Sequence, residues 1–101
     1  MNTTITELEG KYIVALEGEL DTAHAMEVEQ AMQPLYELNG KEITIDCTKL
    51  EYIASSGLRL FILLLRYASQ HGCSVCVKGA NPLLMSIFEA TGFKALFRFV
   101  D

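Results

Sequence analysis

The sequence predicts a single α/β domain built on a mixed, mostly parallel sheet, and three observations carry that reading. Strand-like runs alternate with helix-like runs once an initial pair of strands is past. Half of the residues are apolar and 21% are charged, which suits a packed core and does not suit disorder. At 101 residues, with no linker, repeat or low-complexity segment, one domain spanning residues 1–101 is expected.

Thr3 to Glu7 and Tyr12 to Glu17 read as strands around a Gly10-Lys11 turn, giving an N-terminal hairpin. After Gly18-Glu19-Leu20, Asp21 or Thr22 can cap a helix in which Ala25, Val28, Met32 and Leu35 keep helical spacing. Pro34 removes an amide donor and disfavours helix at Gln33, so a kink or an early end is expected, with Asn39-Gly40 closing the segment. Glu42 to Asp46 is a short strand, and Cys47 to Ala54 is expected to be a loop. A second helix runs from about Ser56 to His71, stops at Gly72, and leads into a strand over Cys73 to Val77. Asn81-Pro82 opens a third helix, with Leu83, Leu84, Ile87 and Phe88 facing the core, and Gly92 ends it. Lys94 to Phe99 supplies a last strand or a docked tail. Strands joined through helices should lie parallel, with right-handed crossovers.

Eight basic against thirteen acidic residues give a net charge of −5 without any Lys/Arg cluster, so nucleic acid is not an expected partner. The longest apolar stretch, Leu60 to Leu65, falls far short of the ~20 residues of a membrane helix, and no membrane insertion is expected. Met1 to Glu7 lacks the basic and apolar regions of an export signal, which makes the cytoplasm the expected location. Cys73 and Cys76 have C-x-x-C spacing but lie on a strand, where side chains three apart point to opposite faces; with Cys47 they read as structural cysteines. Zinc would need a second ligand pair that the chain lacks, so no metal or cofactor is expected.

The informative stretch is Ile53 to Phe61, where Ser55, Ser56 and Gly57 sit at the change from loop to apolar helix. Either hydroxyl can cap the first-turn amides, and the positive end of the helix dipole would welcome a phosphate there. An ordinary N-cap serine explains the same residues without modification. Along this helix Leu58, Phe61, Ile62, Leu65 and Ala68 share the face that docks on the sheet, whereas Leu60, Leu64 and Tyr67 project roughly opposite, with Leu63 beside them. So small a domain has little with which to cover a second face. Leu60, Leu64 and Tyr67 are therefore expected to form the apolar centre of a partner contact, with Arg59 at its rim; burial under the third helix or the C-terminal tail is the alternative. Catalysis is not expected, because no G-x-S-x-G elbow, P-loop or dinucleotide fingerprint occurs and His71 lies about four turns from the serines. His24 is expected on the exposed side of its helix start.

Gly18-Glu19-Leu20-Asp21, Ile45-Asp46 with its loop into Ser55-Ser56-Gly57-Leu58, and Phe88-Glu89-Ala90-Thr91-Gly92-Phe93 occur in an order and spacing that resembles the STAS domain family. Within that family the chain is similar to the stand-alone bacterial anti-sigma factor antagonists over nearly its whole length. The resemblance implies one STAS-like domain with helices packed mainly on one face of the sheet. It implies that Ser56, directly before Gly57, is a phosphoacceptor, with Ser55 and Gly57 in support and Gly57 leaving room for another protein to approach; Asp21 and Asp46 are the carboxylates expected to stand in for the aspartate that the family usually has at position 54. The implied partners are an anti-sigma factor with serine kinase activity, which itself binds ATP, and a serine phosphatase. The unmodified antagonist binds the anti-sigma factor and frees the sigma factor; the phosphorylated form lets go. Where the family usually has an aspartate two residues before the phosphoacceptor, this chain has Ala54. Other members imply a different role, a non-catalytic interaction subunit of a transporter ATPase or a signalling scaffold without a phospho-switch.

Overall fold

Glu9 and Gly10 close the first hairpin with φ of 52° and 81°, the pair of positive values that a tight two-residue turn demands. The turn sits one residue earlier than Gly10-Lys11, and the Gly10 amide donates to Glu7 Oε2 at 2.9 Å. It joins β1 (Asn2–Leu8) to β2 (Lys11–Leu20) as an antiparallel pair with Thr3 opposite Leu16. Glutamate is poorly suited to a left-handed backbone, whereas asparagine visits it readily. Glu9→Asn is expected to raise stability by about 0.5 kcal/mol, seen as a higher Tm with an unchanged circular dichroism spectrum.

The computed structural model describes all 101 residues. After the hairpin come α1 (Thr22–Ala31), a 3₁₀ turn over Gln33–Glu37, β3 (Glu42–Ile53), α2 (Ser55–Gln70), β4 (Ser74–Lys78) and α3 (Pro82–Ala90). A short 3₁₀ turn over Phe93–Ala95 and β5 (Arg98–Val100) complete the chain. The strands form one sheet in the order β1-β2-β3-β4-β5, antiparallel at the hairpin and parallel throughout the rest. Pro34 ends α1 as expected: it falls in the first turn of the 3₁₀ segment, where its missing amide costs nothing.

One expectation fails here. Cys47 to Ala54 is not a loop, because β3 continues to Ile53 and pairs with β2 as far as Leu20. The register shifts twice along this pair, between Ala15 and Glu17 and between Gly18 and Glu19. The spacing of inward residues on β3 accordingly changes from two to three, through Ile43, Ile45, Cys47, Leu50 and Ile53. A pattern without strict alternation does not read as a strand.

The helices cover one face of the sheet and enclose a single apolar core with no buried charged or polar residue. The opposite face carries Thr4, Thr44, Asp46, Lys78 and Arg98, and no layer covers it. Leu84 and Phe88 point inward from α3, but Leu83 does not and is 53% exposed, since only one stripe of this nine-residue helix meets the sheet. Phe88 stands 6.1 Å from Phe61 and 5.2 Å from Phe99 between ring centroids, which docks α3 and the C-terminal strand on α2.

Candidate functional site

Helix α2 begins where the ends of β2 and β3 are tied together. The Ala54 amide donates to Leu20 O at 2.9 Å, and the Ala54 carbonyl accepts from Gly57 and Leu58, each at 3.0 Å. Ala54 is thus the N-cap, in extended conformation and without a side-chain cap. Neither serine caps the helix; Ser55 and Ser56 occupy its first two positions. Ser55 is exposed, and the Ser56 hydroxyl donates to Thr22 Oγ1, across the gap to α1, at 3.4 Å.

Gly57 has a different task from the one its position suggested. It is buried, and a Cβ placed there would lie 2.6 Å from Leu20 Cγ and 2.9 Å from Ile53 Cγ1. The missing side chain lets α2 close onto the strand ends, not a second protein onto the serine. Asp21 caps α1, accepting from the His24 amide at 3.0 Å, with His24 Nδ1 at 2.7 Å from the same oxygen. The hydrogen bond from the His24 side chain outweighs partial burial and holds the Asp21 carboxyl below its usual range. Asp21 therefore lies beside Thr22 but with its Oδ1 already engaged.

Asp46 does not join this cluster. It lies on the open face of the sheet opposite Ala15, five strand residues or roughly 17 Å from Leu20 at ~3.3 Å per strand residue. There it lines a shallow concavity of about 440 Å³ with Thr4, Thr48, Lys49 and Lys78. Burial would raise its pKa, but hydrogen bonds from Thr48 and the charges of Lys78 and Lys49 prevail and hold it low. Asp46 turns the backbone by accepting from the Thr48 amide at 3.0 Å.

The apolar contact expected on α2 is overturned as well. Leu60 is 3% exposed and Leu64 0%, so both belong to the core. Tyr67, on the same stripe, is half-buried, donates its hydroxyl to Leu38 O at 2.9 Å and meets the Tyr36 ring edge-on at 5.1 Å. The second covering layer comes from α1 and the 3₁₀ turn after it, not from α3 or the tail. Arg59 alone of the four stays exposed. Met26, not singled out by the sequence, is 71% exposed and one helical turn beyond Thr22 on the same face of α1. The i, i+4 spacing from Thr22 was the available signal.

The family profile described as "Mlab, STAS domain" matches residues 4–99. The chain belongs to the STAS domain family. This STAS domain is 28% identical over 96 residues to the anti-sigma-B factor antagonist of Staphylococcus aureus strain NCTC 8325, covering 95% of this chain and 89% of that one. Its fold matches a Thermotoga maritima protein, tm1081, with TM-score 0.89 at 17% identity over 98% of this chain and 86% of that chain. It also matches the Bacillus cell fate determinant SpoIIAA in its phosphorylated form, with TM-score 0.73 at 15% identity over 99% of this chain and 92% of that chain.

Elsewhere in the STAS domain the cysteines are free: burial, with Asp46 nearby, pushes the Cys47 thiol up to about 12, and Cys76 Sγ sits 3.4 Å from Thr44 Oγ1 on the open face. No three His, Cys, Asp or Glu side chains gather as a metal site, and no helix is long and apolar enough to cross a membrane.

Proposed function

We propose that this STAS domain is an anti-sigma factor antagonist whose binding is switched by phosphorylation of Ser56. The observation that carries the reading is the placement of that hydroxyl: partly exposed on the first turn of α2, where a kinase reaches it without opening the fold. A phosphate adds about −1.5 to −2 charges and three acceptor oxygens. At Ser56 they enter a surface made by Ser55, Thr22, Met26 and Arg59 and leave the core intact, so binding changes while folding does not. The role named for the S. aureus relative and the phosphorylated state of SpoIIAA support the reading. The partner is an anti-sigma factor that binds ATP and phosphorylates Ser56, a serine phosphatase reverses the step, and both act in the cytoplasm.

The test is incubation with the anti-sigma factor kinase and ATP, followed by peptide mass spectrometry. One phosphate on Ser56 is expected. Ser56→Ala should bind the kinase whether or not ATP is present, and Ser56→Asp should bind at least about tenfold more weakly. Phosphate on Ser55 alone, or none, overturns the reading. Ala54 favours a second reading, a constitutive subunit of a transporter ATPase or signalling scaffold, because it leaves no carboxylate ahead of the serine. Copurification with such an ATPase, and no phosphate on Ser56, would establish it.

A further inference from the structure

Ser56 and Thr22 lie on different helices, yet the backbone fixes their separation from both sides. The Ala54 to Leu20 hydrogen bond at 2.9 Å joins the residues just ahead of the two helices. Gly57, next to Ser56, seats α2 on Leu20, two residues before Thr22. Between these anchors the Ser56 hydroxyl donates to Thr22 Oγ1. No carboxylate takes that proton: position 54 is alanine, the hydrogen bonds of Asp21 go to His24 and not to Ser56, and Asp46 lies on the open face of the sheet.

Resting on the reading of Ser56 as phosphoacceptor, we propose that Thr22 is the positioning residue for phosphoryl transfer to it. Serine attacks with an oxygen lone pair. With its proton directed at Thr22 Oγ1, the lone pairs of Ser56 Oγ face the solvent side from which a kinase approaches. The bond from Ser56 Oγ to the γ-phosphorus of ATP forms as the bond from that phosphorus to ADP breaks, and the serine proton passes to a base of the kinase. Thr22 is not that base, since its hydroxyl is too weak an acceptor to keep the proton; it sets the orientation from which the proton leaves. Once Ser56 has no proton to give, the Thr22 hydroxyl can turn and donate to a phosphate oxygen. A hydroxyl can reverse from acceptor to donor in this way and an ionised carboxylate cannot.

Thr22→Val removes the hydroxyl and keeps the shape, while Thr22→Ser keeps the hydroxyl. Three-bond NMR couplings at Ser56 should report one χ1 rotamer in the unaltered chain and in Thr22→Ser, and rotamer averaging in Thr22→Val. Single-turnover phosphorylation at saturating kinase and ATP, where affinity no longer enters the rate, should slow about tenfold or more in Thr22→Val and recover in Thr22→Ser. Unchanged couplings, an unchanged rate, a loss confined to Kd, or a loss that serine does not restore overturns the inference while leaving Ser56 as the acceptor. No phosphate on Ser56 of the unaltered chain overturns the underlying reading and this inference with it.

Discussion

Leu64→Ala is expected to destabilise the fold by about 2 to 5 kcal/mol, because a fully buried leucine loses its apolar burial and leaves a cavity that packed neighbours fill only in part. In a domain of this size each kcal/mol moves Tm by about 4 to 8 °C, so a fall of at least about 8 °C is expected. Arg59→Ala, one and a half turns away on the exposed side, should change stability by less than about 0.5 kcal/mol. Thermal and urea unfolding of the two variants separates core from surface on the same helix. A Leu64→Ala protein of unaltered stability that has lost its partner would restore the apolar contact that the burial of Leu60 and Leu64 removes.

Gly57→Ala is expected to cost about 1 to 3 kcal/mol, the usual range for overpacking, since the new methyl would meet Leu20 and Ile53 well inside contact distance. The loss should be partly relieved in a Leu20→Ala background, where Leu20 Cγ and Cδ2 are gone and only Ile53 Cγ1 still crowds the methyl. A double-mutant cycle measures that relief, and additive costs would show that Gly57 matters for some reason other than close approach. Because Ser56 adjoins the displaced residue, the single variant should also shift its NMR signals, while the double variant should return them toward their original positions.

Local chemistry made much of this legible in advance. Asp21 and Asn81 cap α1 and α3 because a short polar side chain ahead of a helical run has little else to do, and Pro34 and Gly92 stop helices for equally local reasons. The serines were visible as a site because hydroxyls at a helix start are conspicuous. Two things were hidden. The second half of β3 depends on register shifts against β2, which no reading of one strand can show. The burial of Leu60 and Leu64 depends on α1 and its 3₁₀ extension folding back over α2, and the same closure brings Thr22 to Ser56. The site is made where two helix starts meet, and a one-dimensional pattern displays each start only by itself.

The order of strands in space repeats their order in the chain, and this bears on how the protein is made. A polypeptide emerging from the ribosome can lay β2 on β1 as a hairpin, then add β3, β4 and β5 in turn to the edge already present. No strand has to wait for a later one to be threaded between two partners. Every partly synthesised stage nevertheless offers a growing edge to any other nascent chain, in addition to the outer edge of β1 that stays open throughout. Growth stops at β5, which has three residues and opens with Arg98: too short, and too charged at its start, to serve as a template for the next molecule.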